Sequence, residues 1–229
     1  GRVAGWRVDA FGTADIDRAL AALADPEAFH ERCGAKAAPL VFAVGDGNHS
    51  LASAKEHYRR LCEEAGEPLP DHPARYALVE VVNLYDESLE FEPIHRVVYD
   101  VDRRHLEGRL HDILCVGEEG KQYFEFVRDG IREKMVIGAP TSAMTVGTLQ
   151  EFLDEYTAEF GGHCDYIHGE DVVEKLSKQP NTLGFLLPPV DKEELFRAVI
   201  QDSVLTRKTF SMGNAWDKRF YLECRSIQR

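Results

Sequence analysis

No stretch of the sequence approaches the ~18 consecutive apolar residues that a membrane-spanning helix requires, so a helical membrane span is excluded. Basic residues are scarce as well. Lys and Arg number 27 against 40 Asp and Glu, a formal net charge of −13. A protein that coats nucleic acid needs a basic surface to displace counterions, so nucleic acid is not expected as a partner. The five cysteines, Cys33, Cys62, Cys115, Cys164 and Cys224, are scattered, odd in number and without a Cys-x-x-Cys pair. That excludes a disulfide framework and a cysteine-rich zinc knuckle, and points to reduced thiols in a cytoplasmic protein. Also missing are a Gly-x-Ser-x-Gly elbow, a His-Glu-x-x-His helix and a P-loop, because Lys55 lies too far downstream of Gly45 and Gly47.

What is present suits a folded domain: hydrophobic residues make up 44% of 229, enough for a sizeable core. The opening Gly1-Arg2-Val3 has no initiating Met and runs directly into strand-like sequence. The chain is therefore read as one α+β unit over 1–229, the carboxy-terminal portion of a longer protein, with a sub-division near 140. Short strands are expected at Val3–Val8 and Leu40–Val44, and a central strand covered on both faces at Tyr76–Tyr85. Helices are expected at Asp15–Ala24, from Pro26, at His49–Ala65, after Asp102, and from the capping boxes Thr148/Glu151 and Asp191/Glu194. Asp129-Gly130 is the strongest hairpin signal, between strands at Tyr123–Arg128 and Ile131–Ile137. A short strand is expected at Asp165–His168, a buried one at Thr182–Leu187, and a final one at Lys218–Ile227. Helices interleave with strands but a hairpin interrupts the order, so the expected class is α+β, a mixed β-sheet with flanking helices.

Three segments carry side chains suited to chemistry. The corner Val44-Gly45-Asp46-Gly47-Asn48-His49-Ser50 joins an apolar run to a long helix. Its glycines permit a tight turn, and the first helical amides, unpaired and at the positive end of the helix dipole, suit a phosphate or carboxylate. Asn48, His49 and Ser50 add donors at the rim. The same spacing also describes an ordinary turn in which Asp46 or Asn48 caps the helix. The second segment, Arg207 to Asn214, concentrates cations, hydroxyls and a glycine in an acidic chain, and Lys208, Thr209, Ser211 and Asn214 are its candidate anion contacts. A solvated loop is the plainer reading. The third is Pro93-Ile94-His95-Arg96, with His95 a candidate acid or base and Arg96 a candidate anion clamp. His163, Cys164, Asp165 and His168 could ligate a metal, but without a second cluster no metal site is expected.

The run Phe42 to Lys55 resembles the Asp-Gly-(His/Asn)-His motif of the bacterial and archaeal family called domain of unknown function 1015. Glu92 to Val98 resembles that family's Pro-x-His-Arg segment, and Thr206 to Asn214 its late Pro-x-Lys-(Ser/Thr)-x-x-Phe segment. The corner is also similar, more distantly, to the phosphate-binding turn of the ParB/sulfiredoxin-like fold, which includes free-serine kinases. Asn48 and Ser50 stand where related turns show His and Arg, which removes a cation. The resemblance implies a nucleotide site, with ATP or ADP and Mg²⁺ as cofactors. Gly47, Asn48, His49 and Ser50 would hold phosphate, Asp46 would act as base or Mg²⁺ ligand, and Arg96 with Lys208 would neutralise charge. It implies either phosphoryl transfer to a small molecule such as an amino acid, or a non-catalytic module that senses a nucleotide or small anion.

Overall fold

The structure is a computed structural model that describes residues 4–34, 37–117, 119–202, 205–213 and 226–227. Its elements in chain order are α1 (Ala10–Leu23), α2 (Pro26–Cys33), α3 (Asn48–Ala65), a 3₁₀ turn (Pro73–Arg75), β1 (Phe91–Pro93), β2 (His95–Tyr99), α4 (Arg103–Leu114), β3 (Gln122–Arg128), β4 (Ile131–Ile137), α5 (Thr145–Phe160), β5 (His163–Ile167), α6 (Glu170–Leu176), β6 (Leu183–Leu186), α7 (Lys192–Asp202) and β7 (Phe210–Met212). The class is α+β, with helices flanking the larger sheet. The chain gathers into two compact units, Gly1–Ala43 with Pro93–Phe210, and Val44–Glu92 with Ser211–Arg229.

The first unit is built on a five-stranded sheet in the order β4-β3-β6-β2-β5, each neighbouring pair antiparallel. Alternation along the strands gives it two apolar faces. Val98, Phe126 and Phe185 point to one side and pack with Leu106 and Leu110 of α4 and Leu149, Phe152 and Leu153 of α5. Val97, Val127 and Leu186 point to the other and meet Val173 of α6. Full burial of such side chains is worth roughly 1.5–3 kcal/mol each, so the two-sided sheet is the main source of this unit's stability. Gly184 lies where β6 meets α6. A Cβ there would come within 2.5 Å of Val173 Cγ1, so a side chain at this point would push the helix off the sheet.

Local sequence explains the junctions. Asp129 and Gly130 take φ values of 55° and 78°, the left-handed pair that a two-residue hairpin between Arg128 and Ile131 demands. Asp102 caps α4 by accepting from the amides of Arg104 and His105. Asp191 caps α7 by accepting from Glu193 N. Helix α5 departs from expectation and starts one turn before the Thr148/Glu151 box. Thr148 is instead a buried polar residue, its hydroxyl donating to Gln122 Oε1 and accepting from Ser142 N. The approach to α5 is held by Asp202, which accepts from Ser142 Oγ and Ala143 N. Helix α1 likewise starts early, at Ala10, because Asp9 accepts from Gly12 N and supplies the cap.

The second unit contains α3, amphipathic as its spacing predicts and closed by Gly66 in the left-handed conformation. Tyr58 of its apolar stripe donates its hydroxyl to Leu69 O. Strands β1 and β7 form a two-stranded sheet, extended by the bond from Gly213 N to Glu90 O.

Three expected strands do not appear among the described residues. Residues 4–9 are irregular, with Trp6 84% exposed, and among the described residues no strand is formed over 40–44 or 77–83. A strand needs a hydrogen-bonded neighbour, and among the described residues none pairs with 40–44 or 77–83, where Val81 is 66% exposed. The expected final strand falls, except for 226–227, outside the described residues. No helix among the described residues is long and apolar enough to cross a membrane.

Candidate functional site

The corner before α3 belongs to the second unit. Gly47 is the residue before the first helical turn, with φ 85° and ψ 15°, a conformation that suits glycine and strains other residues. Its carbonyl accepts from Leu51 N at 2.9 Å and begins the helical ladder. Among the described residues no side chain caps α3. Asp46, a natural candidate for that task, turns back one residue, where Oδ1 accepts from Gly47 N at 2.8 Å. The amides of Asn48, His49 and Ser50 therefore have no acceptor within the helix. All three residues are exposed.

The late segment reaches this corner within the same unit. A Cβ at Gly45 would stand 2.9 Å from Met212 Sδ, so the thioether of β7 rests over the glycine backbone. Ser211 lies next to it, half-buried, with its hydroxyl donating to Gly213 O at 3.4 Å. Asn214 lies outside the described residues.

The other sequence candidates belong to the first unit. His95 is 2% exposed, and its Nδ1 accepts from the Leu187 amide at 3.1 Å. Burial pushes its pKa below the ordinary histidine value, Glu170 acts against that, and Arg96, Arg132 and His168 act with it. This is a neutral imidazole performing a main-chain bond.

Arg96 is fully buried and its guanidinium is committed to protein acceptors. Nε donates to Gln150 Oε1 at 2.6 Å, Nη1 to Ile94 O at 2.6 Å, and Nη2 to Lys208 O at 3.0 Å with a longer bond to Arg207 O. The Tyr166 ring lies 4.5 Å from its centre. The sequence reading cast Arg96 as an anion clamp; each of its nitrogens is instead used within the fold.

Lys208 adopts φ 58° and its side chain is exposed, while Thr209 is buried and its hydroxyl donates to Thr206 O. Beside this turn lies a cleft of about 540 Å³ whose lining includes Ser142, Gln150, Asp154, Asp202 and Thr209. Gln150 links the two features, since it accepts from Arg96 and donates from Nε2 to Asp154 Oδ1 at 2.8 Å. Sequence reasoning missed Gln150 and Asp202. Gln150 sits beside the apolar stripe of α5, and its spacing alone does not distinguish it from a solvated glutamine. Burial raises the Cys164 thiol to about 11, which disfavours the thiolate form.

The geometry thus separates the candidates into two sets. Asp46, Gly47, Asn48, His49, Ser50 and Ser211 fall in one unit, and His95, Arg96, Lys208 and Thr209 in the other. An α+β chain with an uncapped helix behind a Gly-Asp-Gly corner is the class these features define. The chain belongs to the family described as Protein of unknown function (DUF1015), which matches residues 5–156. That span includes the corner and the His95-Arg96 pair and ends before the late segment.

No curated protein matches the chain. Among solved structures it is similar to a conserved hypothetical protein from Pyrococcus furiosus, at 14% identity over 75% of this chain and 69% of that one, with a TM-score of 0.48. It is also similar to a free serine kinase in complex with AMP, at 16% identity over 74% of this chain and 66% of that one, with a TM-score of 0.47. A mutant free serine kinase in complex with ADP gives 16% identity and a TM-score of 0.45. Likeness at this level carries no activity across.

Proposed function

We propose that this chain binds a phosphate-bearing small molecule, and specifically a nucleotide such as ATP or ADP, at the corner before α3. The observation that carries the reading is the uncapped start of an 18-residue helix behind Gly47, with the nearest carboxylate folded back onto Gly47 N. Amides without acceptors at the positive end of a helix dipole favour an anion, and a phosphate offers oxygens to several of them together. In this reading Asn48, His49 and Ser50 supply main-chain donors and add their side chains, with Ser211 a further contact. Lys208 and Thr209 are proposed, separately, as anion contacts of the first unit.

ATP would supply the phosphoryl group, with Mg²⁺ to screen its charge. Mg²⁺ takes one or two carboxylates together with phosphate oxygens and water, which suits a corner whose carboxylate is Asp46. Asp46 would hold that ion or accept the proton of an attacking hydroxyl, and the helix amides would steady the negative charge. The corresponding activity is phosphoryl transfer to a small molecule, with an amino acid as the class to try first. The kinship this implies with nucleotide-using proteins of the ParB/sulfiredoxin-like fold, and a cytoplasmic setting, are parts of the same proposal.

A second reading, a nucleotide- or anion-sensing module without chemistry, is favoured by His95 and Arg96. Both were candidates for the reaction, and both are engaged by main-chain or amide groups of their own fold.

The test is to incubate the chain with ATP or ADP, Mg²⁺ and a panel of amino acids, following nucleotide turnover and the melting temperature. Phosphorylated product that disappears in Asp46→Asn while the nucleotide still raises the melting temperature supports transfer. A rise in melting temperature without product supports the sensor. Neither effect, at saturating nucleotide, would overturn both.

A further inference from the structure

The late turn Thr206-Arg207-Lys208-Thr209 has an unusual construction. Its main chain faces inward: the carbonyls of Arg207 and Lys208 accept from one Nη of a buried arginine, and the Thr209 hydroxyl closes the turn onto Thr206 O. Its two cations face outward, since Arg207 and Lys208 are exposed whereas Thr209 is buried. Lys208 is held at φ 58°, a conformation that a non-glycine residue keeps only when its surroundings impose it. The side chain that reaches its carbonyl is Arg96, which comes from β2, an interior strand of the sheet.

Arg96 itself has an environment suited to holding a main chain rather than a ligand. Its partners are carbonyl oxygens and the Gln150 amide, and a ring covers its face. Gln150, also buried, fixes Nε and is in turn fixed by Asp154. A lysine could not reproduce this planar fork.

We propose that Arg96 is a positioning residue: a latch that fixes the Arg207–Lys208 turn and so presents its two cations, preorganised, to a phosphate-bearing ligand. The latch goes beyond the binding reading above, and only its ligand arm rests on the proposal that Lys208 contacts an anion. Arg96 touches no ligand in this account. Removing it would free the turn, let Lys208 relax out of its left-handed conformation and disperse the cations among many orientations.

The experiment is hydrogen exchange on the full chain, wild type against Arg96→Lys and Arg96→Met, with and without ATP and Mg²⁺. In both variants, amides of 205–210 are expected to exchange about tenfold faster or more, since a local opening that loses two or more charge-assisted bonds shifts by at least that factor. Protection of the same amides by ATP, expected in wild type, should disappear. If exchange at 205–210 is the same in all three proteins, the latch is overturned. If exchange accelerates but ATP protects the turn equally in the variants, the positioning role is overturned. If wild-type amides at 205–210 gain nothing from ATP while both variants exchange faster, the anion-contact reading of Lys208 fails and the latch stands. Should the Arg96 variants not fold, Gln150→Met, which removes the Nε partner together with the Gln150–Asp154 bond and leaves the bonds from Nη2 to the turn, is expected to accelerate the turn severalfold, and unchanged exchange there would count against the latch.

Discussion

The Arg96 guanidinium donates to the carbonyl of Lys208 at 3.0 Å, across 112 residues of sequence. That one bond joins the second strand of the chain to its late basic segment and assigns the two residues different tasks. The arginine is spent inside the fold, and the lysine is left in solvent.

A consequence concerns stability. Arg96→Met leaves the buried carbonyl of Ile94 and the part-buried carbonyl of Lys208 without this donor, and is expected to destabilise the first unit by roughly 2–4 kcal/mol. Urea unfolding monitored at the first unit would measure it. A loss below about 0.5 kcal/mol would mean that the turn is not energetically tied to the sheet.

Gly184 gives a prediction with a simpler cause. Gly184→Ala places a methyl group 2.5 Å from Val173 Cγ1 and 3.2 Å from Val127 Cβ, so α6 must move away from β6. A cost of about 1–3 kcal/mol is expected from overpacking, with the double variant Gly184→Ala/Val173→Ala recovering part of it. Thermal melting of the two proteins decides the matter.

His95 predicts a pH dependence. Its folded-state pKa is depressed, so the unfolded chain binds the proton more tightly than the folded one. Its contribution is complete above the unfolded value of about 6.5 and declines as the pH falls below that toward the folded pKa. The charged groups acting on it are Glu170, Arg96, Arg132 and His168, and burial outweighs the favourable Glu170. His95→Gln, which retains an acceptor for Leu187 N and cannot titrate, should reduce the loss of stability between neutral pH and about pH 5. An identical pH profile in the variant would show that the imidazole is not coupled to folding.

The fold class was legible in the sequence because its signals are local. The Asp129-Gly130 hairpin, the Asp102 and Asp191 caps and the α3 stripe each depend on residues within a few positions of one another. The strands expected at Leu40–Val44 and Tyr76–Tyr85 do not appear among the described residues, for the opposite reason. Apolar composition describes a segment that would be comfortable in a sheet, but a strand exists only with a partner, and no local pattern states whether one is there. The site divides along the same line. Gly47 and the helix behind it were readable from Gly-Asp-Gly followed by a helical period. The fate of Arg96 was not, because its acceptors lie on Gln150 and Lys208, 54 and 112 residues away. A guanidinium that binds a ligand and one that binds a carbonyl look alike in one dimension.

Gly47 separates conformation from composition. Gly47→Val puts a β-branched side chain at φ 85° and should unwind the first turn of α3, weakening nucleotide binding at least tenfold with only a modest loss of stability, about 1–2 kcal/mol. Ser50→Ala keeps the backbone and removes one hydroxyl, and is expected to weaken binding only severalfold. Isothermal titration with ATP and Mg²⁺ ranks the two. Equal affinities in both variants and wild type would place the ligand elsewhere.

The most direct measurement is an amide NMR titration of the chain with ATP and Mg²⁺. The account predicts that the amide signals of Asn48, His49 and Ser50 shift together and saturate with a single affinity, downfield as their hydrogens take up phosphate oxygens. Saturating nucleotide that leaves these three amides unmoved would contradict it.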